Sequence, residues 1–314
     1  MNDHQYMKLK KFALVVLSAA TSAMALLSGM SSASAANIRA FGLTDGNKLT
    51  SFDVKNPFET KSIAVTGVDG TLLGVDFRPA NGKLYTVTDT NKLYTINTQT
   101  GVASLESVIA PLDFNGGQLS GFDFNPAADA LRLVGTNNQN FRINVDTGMI
   151  ADFEPDTPGV QSDGTLAFAA DDVNAGVDPS ITAVAYTNSF PGEPMGRSTM
   201  LYGIDFALDK LVLQDPPNAG TLNTIGSLGI DFDEVGGFDI YSPAAGNNTA
   251  YATSNGSFFG IDLGTGEVTD LGAIGDGDAR LVGLATTQVP EPASVAALLG
   301  VGTIALASRR RRMA

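Results

Sequence analysis

One stretch constrains the chain more than any other. Leu72–Gly101, LLGVDFRPANGKLYTVTDTNKLYTINTQTG, returns in varied form along most of the sequence. It opens with a short apolar strand, Leu72–Phe77, which meets a turn holding Pro79, Asn81 and Gly82. Lys83–Thr88 alternates apolar and polar residues at the period of a strand. A polar tip at Asp89, Thr90 and Asn91 leads to a third strand, Lys92–Asn97, and Thr98–Gly101 turns the chain again. Val102–Val108 supplies a fourth. The stretch thus predicts four antiparallel strands in a compact, repeatable unit.

The copies set the architecture. LLGVDFRP returns as LSGFDFNP (Leu119–Pro126) and VGGFDIYSP (Val235–Pro243), more loosely as ITAVAYTNS (Ile181–Ser189) and RLVGLAT (Arg280–Thr286). INTQTG (96–101) returns as INVDTG (143–148) and IDLGTG (261–266). Four of the five opening strands are followed by three more, ending near Val108, Phe153, Leu228 and Ile274. The fifth opening strand has none after it, while residues 37–67 offer three strands, Ile38–Leu43, Lys48–Val54 and Lys61–Thr66, with none before them. Pairing the last strand with those three closes a ring and leaves no sheet edge open. The expectation is an all-β, five-bladed β-propeller over residues 36–288, with four-stranded antiparallel blades of about 50 residues each. A sixth blade hidden in Glu154–Ser180 is the alternative. That segment otherwise reads as loop, apart from a strand at Thr165–Ala169, and Phe190–Arg197 is a second insertion. Long loops on a rigid ring are where binding commonly resides, and plain surface excursions are the competing reading.

Both ends read as addresses. Lys8, Lys10 and Lys11, the apolar Phe12–Leu27 and the small-residue site Ala33-Ser34-Ala35 make residues 1–35 a secretory signal peptide, cut by signal peptidase after Ala35. A membrane anchor is the alternative. At the other end, Pro290-Glu291-Pro292 precedes the apolar Ala293–Ala307 and then Arg309, Arg310, Arg311 and Arg312. The apolar run is shorter than the roughly 20 residues of a membrane span, and the arginines would hold its end in the cytoplasm. This arrangement over residues 289–314 resembles the PEP-CTERM sorting signal. The resemblance implies a Gram-negative, exopolysaccharide-producing source and transient membrane contact. It further implies recognition of Pro290-Glu291-Pro292 by an exosortase and release to the surface, outer membrane or matrix. A chance tail anchor is the competing reading.

Composition removes whole classes of chemistry. The only His is His4, ahead of the cleavage site, and there is no Cys. Ser-His-Asp and Cys-His nucleophiles and zinc sites with His or Cys ligands therefore cannot be built in the mature chain. Residues 36–289 hold twelve basic and thirty-one acidic residues, a net charge of −19. Such a field repels nucleic acid and attracts divalent cations, besides keeping a surface soluble.

Oxygen ligands remain. Asp76, Asp123 and Asp239 occupy one repeat position, which Ala185 and Ala285 fill in the other two copies. They could form a ring facing the central channel and bind calcium. The other reading is that each accepts N–H bonds from the adjacent turn, which the closely following Pro79, Pro126 and Pro243 favour. Asp172-x-Asn174-x-Gly176-x-Asp178 has the alternating oxygen spacing of a calcium loop without its closing Glu; a solvated acidic loop is the other reading. A glycosidase would need two carboxylates about 5–10 Å apart. None of the six Glu in the body (Glu59, Glu106, Glu154, Glu193, Glu234, Glu267) sits at the inner-strand position. With no Trp, a sugar platform would fall to Tyr186, Tyr202 or Phe190.

The middle of the chain resembles an uncharacterised propeller-like family, a domain of unknown function found in exported bacterial proteins. The residues carrying the likeness are Gly121-Phe122-Asp123-Phe124-Asn125-Pro126, Arg142-Ile143-Asn144, Ala185-Tyr186-Thr187-Asn188-Ser189, Leu201-Tyr202-Gly203-Ile204-Asp205 and Gly237-Phe238-Asp239-Ile240. The resemblance brings no activity. The expectation is an exported, non-enzymatic binding or structural module, with calcium as a candidate stabiliser and extracellular polysaccharide or another surface protein as candidate partners. A carboxylate-based hydrolase of extracellular polysaccharide is the alternative.

Overall fold

Short alternating runs, punctuated by Asn, Asp and Gly, become strands joined by tight turns. The computed structural model describes residues 37–289 except 45 and 195. The signal-cleavage residues Ala33 and Ala35, and the sorting residues Pro290, Glu291, Pro292 and Arg309–Arg312, lie outside the described residues.

In chain order, β1 (Asn37–Thr44), β2 (Lys48–Asp53) and β3 (Asn56–Ala64) come first. A second group holds β4 (Leu72–Phe77), β5 (Leu84–Thr88), β6 (Lys92–Ile96) and β7 (Ala103–Val108), and a third β8 (Ser120–Asn125), β9 (Ala130–Gly135) and β10 (Asn140–Ile143). The two-residue β11 (Ala167–Phe168) precedes β12 (Ile181–Tyr186), β13 (Leu201–Asp205), β14 (Lys210–Gln214) and β15 (Thr221–Ser227). The last are β16 (Gly236–Ala244), β17 (Asn247–Ser254), β18 (Ser257–Ile261), β19 (Val268–Ala273) and β20 (Leu281–Val289). They form five sheets, and β20 lies beside β1 in the first of them. The protein is a five-bladed propeller whose ring closes through its last strand, as the repeat count requires. We number the blades I to V from the blade holding β1.

Blade III departs from four full strands. Beyond β10 its outer edge is a single antiparallel bridge, Ile143 to Ile150. Glu154–Ser180 hides no sixth blade: its only strand, β11, pairs in parallel with β15 at the edge of blade IV. That pairing continues a pattern. Parallel bridges Thr66–Val102 and Ala110–Met149 join blade I to II and II to III in the same manner.

The core is divided among the blade interfaces. Five apolar clusters lie one between each neighbouring pair, for example Leu73, Tyr85 and Leu93 of blade II against Phe122, Phe124 and Phe141 of blade III. The III–IV interface differs, because Val134 is the only buried apolar residue of blade III in its cluster, and Leu166 and Phe168 of the long insertion fill the gap. Arg132, 1% exposed, completes this interface. It donates to Asp163 (2.6 Å), Asn140 (2.6 Å) and Asn218 (2.7 Å). Arg142 donates to the same Asp163 carboxylate at 2.7 and 2.8 Å. The insertion is thus the filler of a blade seam, which the loop-as-binding-surface reading did not foresee.

The repeated turn has a local cause. In INTQTG, INVDTG and IDLGTG the first polar side chain accepts two backbone N–H groups: Asn97 from Gln99 and Thr100, Asn144 from Asp146 and Thr147, Asp262 from Gly264 and Thr265. The closing glycines, Gly101, Gly148 and Gly266, have φ of 75°, 75° and 83°, a left-handed conformation that glycine adopts at little cost. Each also packs against backbone of the preceding blade, where a Cβ would collide with Ala64, Val108 or Gly226.

Candidate functional site at the propeller axis

The five innermost strands, β20, β4, β8, β12 and β16, meet at the axis. The repeat places Gly74, Gly121, Ala183, Gly237 and Gly283 at one level there. A Cβ on Gly74 would lie 2.5 Å from the Cβ of Phe122, and one on Gly237 would lie 2.7 Å from the backbone of Gly283. Glycine at this level lets the strands touch, and the space left is about 10 Å³, roughly one water. No polymer passes along this axis.

Two residues further along each strand stand Asp76, Asp123, Ala185, Asp239 and Ala285. The three aspartates come together, each offering a carboxylate oxygen within 4.8 Å of the others, and all are buried. They are the only group of three or more such ligands among the described residues.

Their hydrogen bonds follow a rule. The residue after each axial position is Phe77, Phe124, Tyr186, Ile240 or Thr286, and each has an inward N–H with no strand beyond to receive it. Asp76 accepts the N–H of Phe124 in the next blade (3.0 Å) and of its own neighbour Phe77 (2.6 Å). Asp123 accepts Tyr186 of the next blade at 3.1 Å. Asp239 accepts Thr286 of the next blade through both N–H and Oγ1 (2.5 Å each), and its own neighbour Ile240 (2.6 Å). Where the preceding blade carries Ala, the aspartate turns back to its own neighbour, so three carboxylates satisfy all five amides. The partners are strand amides, mostly in the next blade, and not the Pro-containing turns expected from sequence.

The charge is poorly accommodated. Burial, aided by the charge of Asp239, pushes the Asp76 carboxyl well above its ordinary value. Burial and the charges of Asp76 and Asp239 do the same to Asp123. Burial pushes Asp239 up to about 6, against the hydrogen bonds from Thr286 and Ile240. The guanidinium of Arg78, two residues after Asp76, is committed elsewhere: it donates twice to Asp129 (2.8 and 2.6 Å) and twice to Asp146 (2.6 and 3.0 Å), joining blades II and III.

Beside Asp76 and Asp239 lies a cavity of about 120 Å³, lined also by Arg78, Tyr241, Ser189 and Pro191 among others. Its rim carries the Phe190–Arg197 insertion of blade IV. Gly192 N–H bonds Pro79 O of blade II at 3.2 Å. Arg197 ties the insertion together by donating to the carbonyls of Asn188, Phe190, Gly192 and Glu193. Its guanidinium also lies 4.0 Å over the Phe190 ring. Tyr186 and Tyr202 are 1% and 6% exposed, so neither presents a face to a sugar.

The other acidic candidates do not join this site. Asp172 is held to β15 by Thr224, whose N–H and Oγ1 both donate to it at 2.6 and 2.8 Å, and it caps Asn174 N–H at 2.8 Å. Burial raises its pKa, but the bonds from Thr224 and Asn174 outweigh that and hold it below the ordinary value. Asn174 donates its amide to Thr224 Oγ1, and Asp178 accepts from Asn138. This segment reads as a clip on blade IV. Arg132 and Asp163 escaped the sequence reading; the available signal was a charged residue inside the apolar strand ALRLVG.

A model of the domain of unknown function DUF4394 matches residues 48–285. The PEP-CTERM protein-sorting motif matches residues 288–312. No curated protein matches the chain. Among solved structures, BamB from Moraxella catarrhalis is 13% identical, with 73% of this chain and 56% of that one covered and a TM-score of 0.33. A structural genomics protein of unknown function from Bacteroides thetaiotaomicron is 15% identical, covering 76% and 58%, with a TM-score of 0.40. An auxiliary nutrient binding protein from the same organism is 12% identical, covering 68% and 55%, with a TM-score of 0.37. The chain spans just over half the length of each.

Proposed function

Because the chain belongs to the DUF4394 family and ends in a PEP-CTERM motif, which marks an exported, exosortase-processed protein of Gram-negative bacteria, we propose that it serves as a non-catalytic structural or binding module at the cell surface or in the polysaccharide matrix. Residues 1–35 are the leader removed on export, and cleavage at Pro290-Glu291-Pro292 frees the propeller.

One observation carries the non-catalytic reading: the axial carboxylates are spent on backbone amides of neighbouring blades, so their first task is to fasten the ring. A hydrolase of polysaccharide draws support from the raised pKa values of Asp76, Asp123 and Asp239. Against it stand their spacing, within 4.8 Å, where glycosidase carboxylates stand about 5–10 Å apart, and the small cavity beside Asp76 and Asp239.

The test pairs location with activity. The full chain and its Glu291→Ala variant are expressed in an exosortase-bearing host, and the surface and matrix fractions are probed for each. The reading expects the processed chain outside the cell, the variant retained, and no shortening of exopolysaccharide incubated with the purified protein. Shortening that Asp239→Asn abolishes would replace the scaffold with the hydrolase.

A further inference from the structure

A scaffold alone has no use for the cavity at the axial mouth, and Asp76 and Asp239 line that cavity. The fastening rule uses five of the six carboxylate oxygens. Both oxygens of Asp76 and of Asp239 accept N–H groups, while Asp123, 2% exposed, accepts only Tyr186 N–H through Oδ1. Among the described residues its Oδ2 has no hydrogen-bond donor. In a side chain this buried, such an oxygen is left to the little water that reaches it, which is costly for a carboxylate unless something positive meets it. Among the described residues no side-chain cation pairs with it, and Arg78, which lines the same cavity, already holds Asp129 and Asp146.

The geometry points to a calcium ion at the axis, held by Asp76, Asp123 and Asp239 and completed by water from the cavity that Asp76 and Asp239 line. Oxygens within 4.8 Å of one another share a centre no further than about 2.8 Å from each, which a small inward turn of the side chains brings into calcium's range of about 2.3–2.6 Å. The cavity of about 120 Å³ has room for several waters, since each needs only about 10–15 Å³ of such space. Three carboxylate oxygens and a few of those waters reach calcium's usual six to eight ligands. Magnesium, which wants a tight octahedron at about 2.0–2.1 Å, fits this wide, mixed set less well. Each carboxylate oxygen that accepts an N–H keeps a second lone pair, so ion binding and blade fastening coexist. The net charge of −19, from twelve basic and thirty-one acidic residues in the body, draws cations to the surface. The inference rests on the fastening reading, since the same three side chains serve both.

The experiment uses the full chain, stripped with EDTA and titrated with CaCl₂ or MgCl₂ at neutral pH by calorimetry and by thermal melting. One calcium per chain is expected, with a melting rise of several degrees at saturation, little response to magnesium, and net proton release on binding. Asp172→Asn should bind calcium as the parent does, and Asp123→Asn should lose binding at least tenfold. No calcium-dependent heat or melting shift in the parent chain overturns the proposal, as does unchanged affinity in Asp123→Asn. Should Asp123→Asn fail to fold, Tyr241→Phe and Ser189→Ala, which alter only the cavity wall, serve in its place as folded controls for the parent's stoichiometry and proton release. The fastening reading fails separately: it falls if Asp76→Ala and Asp239→Ala melt in EDTA where the parent does.

Discussion

Replacing Asp163 by Asn tests whether the long insertion holds blades III and IV together. The Asp163 carboxylate has no exposed surface and receives Arg132 at 2.6 Å and Arg142 at 2.7 and 2.8 Å. The amide removes the only carboxylate bonded to Arg132 among the described residues, leaves that 1% exposed side chain without it, and turns an NH₂ toward one guanidinium. Arg142 is a quarter exposed and can turn to water, so the cost concentrates on Arg132. Breaking one partner of a buried ion pair costs about 3–5 kcal/mol, a large share of the roughly 5–15 kcal/mol that stabilises a domain. At about 2–4 °C per kcal/mol for a domain of this size, the melting temperature should fall by roughly 6–20 °C. Urea unfolding at neutral pH, followed by circular dichroism, gives the free energy directly. Arg280→Ala, which breaks the exposed pair with Asp233 (2.9 Å), serves as a control and should cost no more than about 1 kcal/mol. A loss for Asp163→Asn no greater than that control would refute the seam-filling account.

Other perturbations probe the axis and its rim. Gly237→Ala puts a Cβ 2.7 Å from the backbone of Gly283, which cannot rotate away, and should cost about 1–3 kcal/mol in the same unfolding assay. In EDTA the protein should be more stable near pH 4 than near pH 7. Asp239 binds its proton more tightly folded than unfolded, so the stability it adds is complete below 3.8 and lost as pH rises through about 6. That shift is worth roughly 3 kcal/mol at about 1.4 kcal/mol per unit. Asp146 and Asp172, whose folded values are lowered, act in the opposite sense at pH below that window. Melts across the range in chelator would show the slope, and a flat or rising profile would count against it. Arg197→Ala should leave the melting temperature within a degree or two while exposing 190–197 to proteolysis, read by mass of the first fragments.

The architecture was legible because it is written as repetition. Five opening strands, one with nothing after it and three N-terminal strands with nothing before, leave ring closure as the economical solution, and β20 lies beside β1 as that reasoning requires. The axial aspartates were legible for the same reason: equal positions in a repeat become neighbours around an axis. Their partners were not. Sequence proximity suggested the Pro-containing turns, whereas Phe124, Tyr186 and Thr286 are 48, 63 and 47 residues away from the carboxylates they meet. The alternating oxygens of Asp172, Asn174 and Asp178 looked like a calcium loop because spacing records the backbone and not the neighbour; Thr224 and Asn138 took those oxygens and amides instead. The role of Glu154–Ser180 depends on blade III lacking a full outer strand, a gap visible only once the blades stand side by side.

The fastening of the ring can be tested amide by amide. In NMR-detected hydrogen exchange on the chelated protein, Phe77, Phe124, Tyr186, Ile240 and Thr286 should exchange as slowly as the central strands, although no neighbouring strand receives their N–H groups. Asp76→Ala should release Phe77 and, one blade away, Phe124, while leaving Thr286 protected by Asp239. Fast exchange of all five amides in the parent protein, or loss of protection confined to the mutated blade, would contradict a ring bolted through its axis by three aspartates.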